Sequence, residues 1–338
     1  MLKNLLSAIN FLPEAHACVL MYHRVAKLES DIWEIAVDPD RFEQHMQLIK
    51  RKANVISVKE LTEALGKKSI KKNTIAITFD DGYADNFHVA KPILDYYNLP
   101  ATFFITSQTI GKEEELWWDE LENIILFSER LPAKCSSILV GSITDFDLEQ
   151  EVYLSKDLLL KHQSWNACEQ SPPTLRCVLF FHLWQKLKPL PYAEQQLQLR
   201  SIRQWAGRIR NARPQYKCLS YNELQILGNS ILHDIGVHTE THPALAFHAP
   251  IFQKQELLGN KTFLEKATGK DINLVAYPYG NYNQDTTDVV KEAGFKAAFT
   301  TEGKPVTNDS DRYRLGRFQV KNNLEYQFSQ QLQHWLNS

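Results

Sequence analysis

The sequence predicts an α/β protein: a barrel-like core of about seven strands carrying a long, mostly helical insertion. Three observations point there. Short apolar, β-rich runs alternate with segments of helical periodicity, as parallel βα units require. The run Thr74-Ile75-Ala76-Ile77 is apolar enough to be a buried strand. From about Glu113 to Lys217 the alternation gives way to a Leu-, Gln- and Trp-rich stretch longer than one βα unit needs.

Taken in order, Met1–Pro13 sets Leu2, Leu5, Leu6, Ile9 and Leu12 on one stripe. Residues 1–17 are therefore expected to form an N-terminal helix that caps the domain or touches a membrane surface. The barrel domain is expected over 18–338. Its strands are expected at Cys18–Tyr22, Asn54–Ser57, Thr74–Phe79, Ala101–Thr106, Ile235–His238, Leu274–Tyr277 and Ala297–Thr300. Phe42, Met46 and Ile49 share one helical face, as do Leu61 and Leu65. A helix over Ala84–Tyr97 should stop at Asn98-Leu99-Pro100. Ser220 with Glu223 forms a capping box that opens another, and Gly294 closes one over Asp285–Ala293. Within the insertion, at about 113–217, helices are expected at Leu116–Phe127, Leu148–Leu160 and Ala193–Arg208, with Pro172-Pro173 dividing its halves.

Composition excludes several classes. The 338 residues are 43% hydrophobic and 23% charged, which sustains a normal core. Thirty-eight basic against forty acidic side chains leave no excess to hold a nucleic-acid backbone. The cysteines are five, widely spaced and without a C-x-x-C, so neither a disulfide framework nor a thiolate zinc site is expected. No segment approaches ~18 uninterrupted apolar residues, and the start of the chain is a poor signal peptide. The expected location is cytoplasmic, with peripheral contact at the inner face of the membrane as an option.

Four motifs sit at or just past expected strand ends, where α/β folds build their sites. Asp80-Asp81-Gly82 places two repelling carboxylates together, which a cation or shared proton would relieve; a turn with one Asp capping a helix is the plainer alternative. His238-Thr239-Glu240-Thr241-His242 lets two imidazoles converge on one metal, though H-x-x-x-H alone is a weak signal. Tyr277-Pro278-Tyr279-Gly280 reads as a turn or as the wall of a pocket. His23 ends the first strand, where a structural histidine is common. Trp117 and Trp118 open the insertion and serve packing or stack on a sugar face.

Together these segments resemble the polysaccharide deacetylase family, carbohydrate esterase family 4, over roughly Val19–Gly111 and Ser220–Phe318. The resemblance implies a distorted, incompletely closed (β/α) barrel. It makes Asp80 the general base, and Asp81, His238 and His242 the ligands of one divalent metal. Zn²⁺ is the expected ion, with Co²⁺, Ni²⁺ or Mn²⁺ as alternatives. Two departures matter. Ala276 stands where the family has an arginine beside its Pro-Tyr, leaving Arg314 and Arg317 as candidates by position. The Leu-x-x-His that supplies the general acid near the C-terminus is missing there, yet Leu20-Met21-Tyr22-His23 has it at the front. That is similar to the circularly permuted deacetylases acting on poly-N-acetylglucosamine, and it implies His23 as general acid. Tyr279, Trp117, Trp118 and Arg317 are then expected around the pocket. The implied activity is metal-dependent deacetylation of an N-acetylated amino sugar, in a cell-surface glycan or its lipid- or nucleotide-linked precursor. The rival readings are a non-catalytic carbohydrate-binding barrel and an amidohydrolase for a non-sugar amide.

Overall fold

Strands β1 (His16–Tyr22) and β3 (Thr74–Phe79) are buried along their whole length, as strands covered on both faces must be. They pair in parallel, with Leu20 opposite Ile77. The computed structural model describes residues 15–135, 146–210 and 212–337. The remaining sheet strands are β2 (Asn54–Val55), β4 (Ala101–Ile105), β5 (Asp234–Val237), β6 (Leu274–Ala276), β7 (Ala297–Phe299), β8 (Val306–Thr307) and β9 (Phe318–Gln319). The order β7-β6-β5-β4-β3-β1-β8 makes a curled, seven-strand half-barrel; β2 pairs with β3 and β9 with β1. Among the described strands of this sheet, β8 alone runs antiparallel to its neighbour.

The open side is spanned by the chain from Arg312 to Gln319. Leu315 exchanges backbone hydrogen bonds with Ala298 and Thr300 at the β7 edge, and Phe318-Gln319 pair with Leu20-Met21 of β1. The first strand in sequence therefore lies between the Asp80 strand and the last one.

Alternation along the strands sorts two layers. Ala17, Val19, Ala76, Ala276 and Ala297 point inward with Phe104 and Phe299, where Leu61 and Leu65 of helix α2 (Val58–Gly66) join them. Small residues dominate because the interior of a narrow barrel is crowded. Cys18, Leu20, Tyr22, Ile75 and Ile77 point outward into the main core. Helices α1 (Pro39–Lys52), α3 (Lys91–Tyr97), α8 (Tyr221–Gly228), α9 (Pro250–Thr268), α10 (Gln284–Glu292) and α11 (Glu325–Asn337) flank the sheet. The Ser220–Glu223 capping box forms, and so does one at Ser57–Glu60.

Between β4 and β5 lie α4 (Trp117–Phe127), α5 (Lys156–Ser164), α6 (Leu175–Leu187) and α7 (Tyr192–Trp205), built on a hydrophobic core of their own. Three expectations need correction. Leu148–Leu160 is not one helix: a short 3-10 turn (Glu149–Val152) gives way to extended chain, because Val152 and Leu154 pair with Leu131 and Glu129. Helix α6 had no counterpart in the reading, since its apolar residues run nearly all round it. Most of the expected N-terminal helix lies outside the described residues, and its last two, His16 and Ala17, already belong to β1. All five cysteines are free thiols.

Helix α1 carries a histidine with a pH signature. His45 is fully buried and stacked on Phe328, and one ring nitrogen donates to the Asn323 carbonyl while the other has no hydrogen-bond partner among the described residues. Burial holds its pKa down to about 4, against 6.5 when free. The unfolded chain thus binds the extra proton more readily than the folded one. Stability is fully present above pH 6.5 and drains as the pH falls towards 4, by ~3 kcal/mol from this ring alone. Urea unfolding over that window should show a flatter pH slope for His45→Gln than for wild type. Equal slopes would mean that the ring titrates freely.

Candidate active site

Four strand ends converge at the C-terminal mouth of the half-barrel. Just past β1, β3, β5 and β6 come His23, Asp80-Asp81, His238 and Tyr277-Pro278-Tyr279. Asp81 sits at φ +75° in a γ-turn closed by the Gly82 N–H on the Asp80 carbonyl at 3.0 Å. Gly82 follows at φ +87°, with the position of a Cβ only 3.1 Å from Ile105. Thr239, His242 and Tyr279 are also left-handed, at φ +64°, +60° and +57°. Four non-glycine residues strained at one mouth mark a place where side chains are being aimed.

The strain turns the two neighbouring carboxylates to different partners. Asp80 receives both guanidinium nitrogens of Arg317 at 2.7 Å, and its backbone N–H donates to the Tyr22 carbonyl. Arg317 is itself fully buried and held by the Thr300 carbonyl at 2.9 Å. Burial alone would raise the Asp80 pKa. The Arg317 charge, helped by His238, outweighs burial and keeps the carboxyl below its usual range. Arg314 instead reaches Gln284 on the surface. Arg317, expected from the sequence among the pocket residues, is instead engaged behind Asp80 and does not line the cavity over Asp81.

Asp81 faces the histidines. Its Oδ1 lies 3.4 Å from His238 Nε2 and 3.3 Å from His242 Nε2. Burial pushes its pKa up, but the two imidazoles prevail and hold it well below the usual range. The His238 Nδ1–H donates to the Ala276 carbonyl at 2.8 Å, which turns Nε2 towards Asp81. Asn260 braces this histidine by accepting from its backbone N–H. Asp81 Oδ1 is buried and, among the described residues, has just these two imidazole nitrogens for polar partners. The three donor atoms lie within 4.8 Å of one another, the group among the described residues that could hold a metal ion. Two ligands on a tetrahedral cation at ~2.1 Å stand roughly 3.4 Å apart, so the residues fit such an ion.

A cavity of about 300 Å³ opens over this cluster. His23, Trp118 and Tyr279 line it, together with Trp33, Trp184 and Lys188. The Trp118 ring lies 4.7 Å from that of His242, fixed by an Nε1–H bond to the Tyr83 hydroxyl, which in turn donates to Asp119. Trp117 does not share this wall; it packs in the core of the insertion against Trp184. Consecutive helical residues point about 100° apart, so one tryptophan of the pair faces the cavity and the other does not. Trp33, Trp184 and Lys188 escaped sequence reasoning because each lies in a loop or helix without a motif.

The family model described as polysaccharide deacetylase matches residues 67–125 and 222–298, which hold Asp80, Asp81, His238 and His242. Over these segments the chain carries a polysaccharide deacetylase domain. The match leaves out the segments with His23 and Arg317. The Bacillus subtilis protein YxkH is 31% identical over 108 residues, 31% of this chain and 37% of its own length. The chain thus aligns with just over a third of that relative. The poly-β-1,6-N-acetyl-D-glucosamine N-deacetylase of Staphylococcus aureus is 22% identical over 335 residues, covering 95% of this chain and 83% of the relative. Among solved structures, IcaB from Ammonifex degensii shares the fold, with a TM-score of 0.58 at 16% identity over 96% of this chain and 98% of that one.

Proposed function

We propose that the protein is a metal-dependent carbohydrate N-deacetylase, removing acetate from an N-acetylated amino sugar of a cell-surface glycan or of its lipid- or nucleotide-linked precursor. The observation that carries this reading is the division of labour between adjacent acids. Asp80 is locked to Arg317 and kept ionised, while Asp81 is turned away to the two imidazoles. A binding barrel has no use for that arrangement. The name of the Staphylococcus relative, which covers nearly the whole chain, supports an acetamido sugar as substrate.

Asp81, His238 and His242 would hold the ion, Zn²⁺ first among the candidates. When bound, it supplies Lewis acidity towards the acetyl carbonyl and lowers the pKa of a water. Asp80 accepts the proton that the attacking water gives up. The Tyr279 backbone N–H donates to the oxygen on which negative charge develops. His23, across the cavity, delivers a proton to the departing nitrogen, since an amine anion is too poor a leaving group. Its Nδ1 is buried without a hydrogen-bond partner among the described residues, so the ring is not tied up in structure.

Acetate release from N-acetylated oligosaccharides by the metal-loaded protein tests the activity. The His23 role makes a sharper prediction. In His23→Ala, turnover of an N-acetyl sugar should drop by ~10²-fold or more, while an activated aryl acetate, which needs no leaving-group proton, keeps most of its rate. Equal losses on the two substrates would remove His23 from the chemistry.

A further inference from the structure

Lys188 caps α6 and brings an ammonium group into the cavity wall. Its Nζ lies 4.3 Å from the ring centroid of Tyr279 and 4.7 Å from that of Trp184. Among the described residues that ammonium makes no ion pair and no hydrogen bond, and burial pulls its pKa down without a neighbouring charge to offset it. Other buried cations among the described residues have polar partners. Arg24 is paired with Asp85, Arg213 with Glu115 and Arg317 with Asp80, and the Arg176 guanidinium donates to the Glu151, Ser128 and Val152 carbonyls. The acids of the cavity are already committed, Asp80 to the guanidinium and Asp81 to the histidines. A half-buried ammonium without a counter-ion is unfavourable in the free protein, and contact with two ring faces relieves it only in part. A cavity of about 300 Å³ is at the small end of ligand pockets (~300–1,000 Å³), room for one sugar residue and its substituents.

We propose that Lys188 receives an oxyanion carried by the substrate, a phosphate ester or a carboxylate on or beside the acetamido sugar. The preferred substrate is then an anionic N-acetylated sugar rather than a neutral one, and the helical insertion is the part of the chain that selects it. The acetamido half of this inference rests on the deacetylase reading above. The anion half rests on the lysine and its surroundings alone.

Calorimetric titration of the metal-loaded Asp80→Asn protein, whose turnover is expected to be cut by ~10²–10⁴-fold, tests it with three probes. They are N-acetylglucosamine, its 1-phosphate, and N-acetylmuramic acid, whose charge is a carboxylate. At least one anionic sugar should bind tenfold or more tighter than the neutral one, and added salt should shrink the gap. The sugar that shows the gap identifies the anion. With Lys188→Met added, the anionic-to-neutral ratio should collapse towards one, and Lys188→Arg should keep it. No gap in the Asp80→Asn protein would overturn the proposal. So would a gap that survives Lys188→Met, because the anion would then be binding the metal instead. Acetate release by the wild-type protein is measured alongside. Failure on all three sugars and on N-acetylated oligosaccharides would sink the deacetylase reading, and the affinity ratio would still decide the role of Lys188.

Discussion

His238→Ala and Asp81→Ala are expected to lose the bound divalent metal and nearly all turnover while keeping the fold. Each removes one of three donor atoms packed within 4.8 Å. Substitutions in the shell behind metal ligands already cost 10–100-fold in affinity, so losing a ligand itself should cost ~10²-fold or more. The fold should survive because its core is a separate set of apolar strands and helices, with no dependence on the ion. Two measurements check this. Elemental analysis should find close to one equivalent of metal in the wild type and little in the variants. Added Zn²⁺ should raise the wild-type Tm, as a ligand specific to the folded state must, and leave the variants where they were. A His238→Ala protein that keeps a full, tightly held equivalent would show that the metal sits elsewhere.

Asp80→Asn should cut turnover by ~10²–10⁴-fold with metal content near that of wild type. The amide keeps the shape of the carboxylate and cannot take the proton. Metal should stay because the Asp80 oxygens face Arg317, and it is Asp81 that faces the imidazoles. The substitution also strands a fully buried guanidinium without its counter-charge, so a lower Tm is expected, by an amount corresponding to ~3–5 kcal/mol. Assays therefore belong well below that Tm, normalised to folded, metal-loaded protein. Should metal and activity disappear together, the two acids must exchange roles.

What could be read from sequence was whatever is local. Asp80-Asp81-Gly82 and His238-x-x-x-His242 each occupy one strand end, so strand pattern and spacing suffice to place them. The choice between Arg314 and Arg317 could not be made that way. It depends on how the chain crosses from β7 to β1, which three residues of spacing do not encode. The same limit applies to the tryptophans: adjacency suggests a common role, but helical geometry splits them between cavity and core. In the stretch Leu148–Leu160 apolar spacing suited a helix, and pairing with Glu129 and Leu131 overrode it. Helix α6 was illegible for the opposite reason. It is covered on several sides, so no polar stripe remains to reveal its period.

The crossing segment also sets the order in which competence is acquired. The proposed metal ligands follow β3 and β5, so a chain folded through β7 would already present Asp81, His238 and His242. The partner that keeps Asp80 ionised arrives only with Arg317, when residues 312–319 lock across the gap. Before that step, burial would leave Asp80 reluctant to ionise, and a protonated acid is no base. A nascent or C-terminally clipped chain is thus expected to be a metalloprotein before it is an enzyme, with loading and activity separated in time by the seam that closes the ring.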